Sequence, residues 1–365
     1  MANKTGIITF HRAYNYGALL QAYALQNKVS EITGNAEIID FVNYVDVKKK
    51  ESFKRKLILL AREILYLDRT LGYSKRKKKM DNFINTKMKL SKPYDVNTIK
   101  ETNAIYDSFI VGSDQVWNMS FENSDIYLLK FVNDTNKKIS YAASFGYSRI
   151  PDQYLDLSIS GIKRFDNIAV RETSGIDIVK EQIKRDDVVL TIDPTFLLTK
   201  KEWKDKLISD TPIQKCKYLL VYLVTTQTNL LEYAKKYAAK HGLKLCIIYN
   251  GTESKVKGAI NLYNLGVEEF LNYFYNATTI MTTSFHGLAF SLNFNKNVYY
   301  ELNSNKKTNS NDRLITLAAS LGLVDREITG TELKEEKEID WQLVNSNMER
   351  IRNDGINYLK NALKK

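Results

Sequence analysis

Three histidines occur in the chain, His11, His241 and His286. An imidazole is the side chain best suited to give and take a proton near neutral pH. His286 stands in Thr282-Thr283-Ser284-Phe285-His286-Gly287-Leu288-Ala289-Phe290, where an apolar β-like run passes into a helical pattern. That setting makes it the leading acid–base candidate, although a lone histidine is more often a structural residue. His241 closes a Lys-rich helix and reads as a surface residue. His11 belongs to Phe10-His11-Arg12-Ala13-Tyr14-Asn15-Tyr16-Gly17, a link from a strand to a helix. The first N–H groups and the dipole of such a helix favour an anion or a sugar hydroxyl oxygen; the same residues also suit an ordinary loop with an Asn cap.

Charged groups at strand ends complete the list. Val111-Gly112-Ser113-Asp114-Gln115-Val116-Trp117 brings a carboxylate to the end of a buried run, where Asp114 either meets substrate or caps a helix. In Ala169-Val170-Arg171-Glu172-Thr173-Ser174-Gly175 the guanidinium follows directly on a buried strand. An unpaired charge there is costly, so Arg171 either pairs with Glu172 or another acid, or clamps a phosphate or carboxylate bidentately. The small residues of Ser140-Tyr141-Ala142-Ala143-Ser144-Phe145-Gly146 favour tight packing. No His/Cys/Asp cluster has zinc spacing, and no metal site is expected. G-x-G-x-x-G, Walker A and G-x-S-x-G patterns are absent.

These segments need strands and helices to hold them. Nearly continuous apolar runs at Thr5–Phe10, Glu37–Phe41, Ser108–Val111, Ile139–Ala143, Ile168–Val170 and Val188–Ile192 predict buried parallel strands. Ala18, Leu19, Ala22, Tyr23 and Leu25 give the buried stripe of a helix after the first strand. The polar stretch Lys200–Lys217 separates a second series: strands at Tyr218–Val224, Leu243–Tyr249, Thr279–Thr283 and Val298–Tyr300, helices at Leu230–Ala239 and Val267–Asn276. Trp341, Val344, Met348, Ile351, Tyr358 and Leu359 recur at helical spacing near the C-terminus. Alternating strands and helices imply parallel sheets built from βαβ units. At 365 residues the chain fits two such α/β domains, with the ligand between them at the carboxyl ends of the strands. The expected domains are 1–205, 206–335 and a terminal helix 336–365 that crosses back.

Net charge is +12, concentrated in a basic insertion at about 48–90. Phe53–Leu67 alternates an apolar stripe with Lys54, Arg55, Lys56 and Arg62, followed closely by Lys75–Lys79. A basic amphipathic helix of this kind either lies against anionic lipid or packs on the N-terminal sheet with its lysines solvated. Nucleic acid is not an expected partner, because no zinc finger, helix-turn-helix or RNP pattern is present. Cys216 and Cys246 each flank a buried strand and read as reduced core thiols. No export signal and no run of eighteen apolar residues is read, so a cytoplasmic protein is expected, at the inner face of the membrane where lipid contact occurs.

Taken in order, NYGALLQAYALQ, GSDQVWN, SYAASFG, VRETSG, DPTFLL and TSFHGLAFSL resemble the polysaccharide pyruvyltransferase family. The resemblance implies a glycosyltransferase-B-like fold, two Rossmann-like domains facing a cleft. It implies phosphoenolpyruvate as co-substrate, no further cofactor, and a saccharide acceptor, free or lipid-linked. The enolpyruvyl unit then becomes a cyclic ketal on two sugar hydroxyls of a bacterial surface polysaccharide. By the same resemblance His286, Asp114 and Arg171 are catalytic, and Arg171, Ser284, Phe285, His286, Gly287 and Arg313 hold the donor. His11, Arg12, Asn15, Tyr16, Gly17, Ser113, Asp114 and Gln115 form the acceptor side. One departure is visible: several members carry arginine two residues before the histidine, where this chain has Ser284. Arg313, Arg12 and Lys296 are the candidate substitutes, unless the Ser284 hydroxyl and backbone amides suffice. The alternatives are a nucleotide-sugar glycosyltransferase of the same fold and a non-catalytic glycan- or lipid-binding protein.

Overall fold

A computed structural model describes residues 4–42, 67–121, 124–211, 213–224, 229–249, 255–303 and 311–364, with the side chains of 67–70 excepted. The expected basic helix at Phe53–Leu67 therefore lies outside the described residues, apart from the backbone of Leu67.

The N-terminal half builds a six-stranded parallel sheet in the order β2-β1-β3-β4-β5-β6. Its strands are β1 (Thr5–Ile8), β2 (Ala36–Ile38), β3 (Ser108–Asp114), β4 (Lys137–Ala143), β5 (Ile168–Val170) and β6 (Val188–Leu190). The second sheet has five parallel strands ordered β9-β8-β7-β10-β11. They are β7 (Tyr218–Leu223), β8 (Lys244–Tyr249), β9 (Ile260–Leu262), β10 (Thr279–Thr282) and β11 (Asn297–Tyr300). β7 is buried along its whole length, which is why its sequence YLLVYL shows no alternation. Each sheet reverses direction once: β1 lies between β2 and β3, and β7 between β8 and β10. Such reversals open a crevice at the carboxyl ends of the two central strands.

Helix α1 (Tyr16–Thr33) is one of the contacts between the halves. Its apolar stripe is as read from the sequence, but Leu20, Gln21, Ala24 and Gln26 on the remaining faces are buried too. The helix is enclosed because the second domain covers the side that the sheet does not. Tyr16 stacks on Phe270 of α7 (Val267–Asn276) at 4.3 Å, and its hydroxyl donates to the Leu265 carbonyl at 2.8 Å. Trp203 inserts between Tyr23 and Phe290 and donates from Nε1 to Thr195 O at 3.0 Å.

The polar stretch Lys200–Lys217 is only partly a linker. A capping box of Thr199 and Glu202 starts a helix over Lys200–Leu207, whose Trp203 and Leu207, one turn apart, are buried. Helix α2 (Leu67–Lys87) carries the lysine run to the second domain. There Arg76 is buried and donates to Tyr249 O at 2.8 Å, while Lys79 and Lys87 pair with Glu269 and Glu268. Part of the basic insertion thus serves interdomain contact. Cys246 is buried, but Cys216 is exposed, contrary to the expected core thiol, because it sits in the turn that precedes β7.

The chain ends in a helix over Trp341–Ala362 that packs on the first domain. The Tyr358 hydroxyl donates to Ser140 O at 2.8 Å, Arg352 Nε donates to Phe196 O at 2.6 Å, and Gly355 lies against Tyr141. Among the described residues no helix is long and apolar enough to cross a membrane.

Candidate active site

The two crevices face one another and form one cleft of about 320 Å³. Phe10, Ala13 and Asn15 enter from the β1–α1 link and Ala18 from the first turn of α1, with Asp114 at the end of β3 and Gln115 and Phe121 beyond it. The second domain contributes Val224 after β7 and Thr283, Ser284, Phe285 and His286 after β10. Asn311, Arg313 and Leu314 come from the start of a helix over Asp312–Ser320.

Three helix N-termini therefore meet at the cleft. Asn15 caps α1 by accepting from Gly17 N (2.9 Å) and Ala18 N (3.3 Å). Ser284 caps α8 (Phe285–Asn293) by accepting from Gly287 N at 3.3 Å. The third, at Asn311, has no side-chain cap. Their partial positive charges add to that of Arg313, which suits an anionic ligand.

His286 is 7% exposed, and its Nε2 has no hydrogen-bond partner. The ring lies directly over Gly17 of the opposite domain: a Cβ added there would sit 2.0 Å from Nδ1. Nε2 stands 3.7 Å from Oδ2 of Asp193, a fully buried carboxylate just beyond β6.

Beneath the cleft runs a charged layer. Arg171 Nη1 donates to Asp193 Oδ2 at 2.6 Å, and its Nη2 lies 3.5 Å from Asp114 Oδ1. Arg313 Nη1 stands 3.6 Å from the same Asp114 oxygen. Both guanidinium groups sit over Phe285, at 4.9 and 5.9 Å from its ring centre. Burial would raise both carboxyl groups, but neighbouring cations outweigh it. Arg171, His286 and Arg313 hold Asp114 below the ordinary carboxylate range, and His286 and Arg171 hold Asp193 far below it. Arg313 is lowered by burial and by the like charge of Arg171. Burial pushes Glu172 up; one of its oxygens accepts from Phe145 N at 3.0 Å and the other has no partner. Asp114 also has a φ of 67°, rare for a residue other than glycine, which turns its side chain out of the strand direction.

Asn15, Asp114, Gln115, Ser284, Phe285, His286 and Arg313 thus line one cleft as expected of site residues. Others lie elsewhere. Arg171 does not line the cleft; it is locked one layer below on Asp193, the acid that the sequence left unnamed. Ser113 joins that layer, donating to Asp193 at 3.1 Å. His11 and Arg12 both turn to Asp40, with Arg12 bidentate at 2.6 Å, and neither lines the cleft. Tyr16 is spent on interdomain stacking, Gly17 on making room for His286, and Gly287 on close packing against Thr282. Of the three candidate cations, only Arg313 lines the cleft; Lys296 precedes β11, at the opposite edge of the sheet. Asp193 was within reach of sequence reasoning, since Asp-Pro after an apolar run marks a capped turn at a strand end. Phe10 and Phe121 gave no such signal. Among the described residues no group of three His, Cys, Asp or Glu is placed to hold a metal ion.

Comparison with known proteins agrees with this architecture. Residues 15–305 match the family model of polysaccharide pyruvyl transferase. No curated protein matches the sequence. Among solved structures, the chain is similar to a candidate UDP-N-acetylglucosamine 2-epimerase from Listeria monocytogenes, at 11% identity and a TM-score of 0.53 over 100% of this chain and 91% of that one. It is also similar to the UDP-GlcNAc 2-epimerase from Neisseria meningitidis bound to UDP-GlcNAc, at 12% identity and a TM-score of 0.51 over 100% and 95%. At these identities the likeness shows the fold, two Rossmann-like domains of glycosyltransferase-B type facing a cleft.

Proposed function

The chain belongs to the polysaccharide pyruvyl transferase family, and from that premise we propose that it moves the enolpyruvyl unit of phosphoenolpyruvate onto two hydroxyls of one sugar. The family makes it a transferase with a saccharide acceptor; the donor, the ketal product and the residue roles are the proposal. The observation that carries it is the ring of His286, which lines a cleft that also presents Arg313 and three helix N-termini. Such a site offers a proton donor beside a seat for a strongly anionic donor.

The reaction is laid on these residues as follows. Arg313 and the helix N-termini hold the phosphate and carboxylate. Protonated His286 gives its proton to the methylene carbon, which becomes the methyl group, and C2 becomes electron-poor. One sugar hydroxyl adds to C2 and its proton passes to His286. The C2–O bond to phosphorus breaks, and phosphate leaves with the electron pair. The second hydroxyl then closes the ketal, and its proton leaves with phosphate. Asp114, across the cleft, orients the acceptor hydroxyls. Arg171 is assigned to holding Asp114 and Asp193 in place.

The test uses the full chain with phosphoenolpyruvate and a panel of mono- and oligosaccharides, following phosphate release and, by mass spectrometry, a gain of one pyruvate less one water. His286→Ala serves as the inactive control. A thermal shift with UDP-sugars but none with phosphoenolpyruvate would overturn the proposal in favour of a nucleotide-sugar enzyme. A peripheral role at anionic membrane remains tied to residues outside those described, and salt-sensitive vesicle binding is its measurement.

A further inference from the structure

We propose that Asp193 is the positioning residue of the site, fixing the orientation of His286 and the ring nitrogen that carries its proton. This rests on the reading of His286 as the acid–base group. The carboxylate is built to be immobile. Oδ1 accepts from Thr195 N at 3.0 Å and from Thr195 Oγ1 at 2.8 Å, and Pro194 stiffens the turn between them. Oδ2 accepts from Arg171 Nη1 at 2.6 Å and from Ser113 Oγ at 3.1 Å. Four donors thus hold a side chain that is wholly buried, a heavy investment for a residue that lines no part of the cleft.

What faces this oxygen is Nε2 of His286, buried without a hydrogen-bond partner and 3.7 Å away. Asp193 is held as a carboxylate by its surrounding cations, so it can only accept. A neutral imidazole beside it must carry its proton on Nε2. Nδ1, on the side of the α1 first turn, is then left as the base. At 3.7 Å the contact is longer than a hydrogen bond. The gap closes with a movement below 1 Å, the scale on which catalytic hydrogen bonds tighten when substrate binds. Oδ2 makes room by releasing the hydroxyl of Ser113, the longer of its two bonds. The pair also spans the two domains, Asp193 beyond β6 and His286 on α8, so closing the cleft on substrate tightens it.

The experiment is nuclear magnetic resonance of the full chain labelled with 15N-histidine. Three histidines give three ring systems, and His286→Gln identifies the one of interest. Wild-type protein is expected to show His286 protonated on Nε2. In Asp193→Asn the carboxamide can donate, and the proton is expected to move to Nδ1. Turnover of phosphoenolpyruvate with saccharide in that variant should fall by about 10²–10⁴, the range for an acid–base group or its misoriented tautomer. KM for phosphoenolpyruvate should stay within a few-fold, whereas damage to the donor seat would raise it. A wild-type proton on Nδ1 overturns the proposal, and does so even if the variant does not fold. Wild-type kcat in a folded Asp193→Asn also overturns it. If the tautomer changes as expected but phosphoenolpyruvate is never consumed, the positioning role stands and the donor assignment falls.

Discussion

Replacing Gly17 by alanine adds a single methyl group at the point where the two domains press together. That methyl would lie 2.0 Å from Nδ1, 2.3 Å from Cγ and 2.6 Å from Cε1 of His286. Carbon and ring atoms need about 3.4–4.0 Å, so the imidazole must retreat by roughly 1.4 Å or the cleft must open. Position 17 is the second residue of α1, where alanine is the better helix former by about 1 kcal/mol; the helix itself is therefore not weakened. The cost falls on the contact with His286. Overpacking of this kind costs about 1–3 kcal/mol in stability, and a 1 Å misplacement of a catalytic group costs on the order of 10² in rate. The check is a double-mutant cycle of Gly17→Ala and His286→Ala read by chemical unfolding, with phosphate release measured for Gly17→Ala alone. The unfolding arm needs no acceptor. In the His286→Ala background the methyl has space, and Gly17→Ala should then cost nothing or stabilise slightly. Equal penalties in the two backgrounds, or a single variant that melts and turns over like wild type, would refute the reasoning.

Arg313→Ala should raise KM for phosphoenolpyruvate ten- to a hundredfold, since a charge-assisted contact is worth about 1.5–3 kcal/mol; an unchanged KM in steady-state kinetics removes Arg313 from the donor seat. Arg171→Ala leaves the buried Asp193 without its strongest partner, and about 3–5 kcal/mol of stability should be lost by chemical unfolding; a folded variant of normal stability contradicts the structural role. Burial alone would raise the Asp40 carboxyl, but hydrogen bonds from His11 and Arg12 bring it down to about 2. Its stabilising contribution is present above the unfolded value of about 3.9 and is lost as pH falls toward 2. The stability difference between wild type and Asp40→Asn should therefore shrink between about pH 4 and 2, and a constant difference across that window would sink the assignment.

The parallel core was legible because burial on both faces leaves its mark as short unbroken apolar runs. β5 at Ile168–Val170 and α7 at Val267–Asn276 lie where their sequences place them. Ile260–Leu262 did not announce itself, being three residues at a sheet edge of which only Leu262 is buried. The helix at Lys200–Leu207 was hidden because only Trp203 and Leu207 face inward. The site divides in the same way. Asn15, Ser284 and His286 stand where a strand meets a helix, a place that spacing reveals. That Arg313 lines the cleft while Arg171 is taken up by Asp193 is set by packing between segments far apart in sequence. His11 and Arg12 follow the same rule: their acid, Asp40, lies on the neighbouring strand's loop, and local sequence cannot show the pairing.

The returning C-terminal helix sets an order of events during synthesis. The face of the first sheet around Ser140 and Tyr141 and the turn at Phe196 are finished only by Tyr358, Gly355 and Arg352. The ribosome must add well over a hundred residues after β6 before these arrive, which takes on the order of ten seconds. For that interval the nascent N-terminal half carries an open apolar surface, with Tyr141 and Leu197 lacking their cover. A chain stopped anywhere before Trp341 would keep that surface permanently, so premature termination should yield an aggregating fragment in place of an independent domain. The twenty-two residues of that helix, Trp341–Ala362, therefore act as a late-arriving lid on the first sheet: the face laid down earliest is sealed only by a segment made long afterwards.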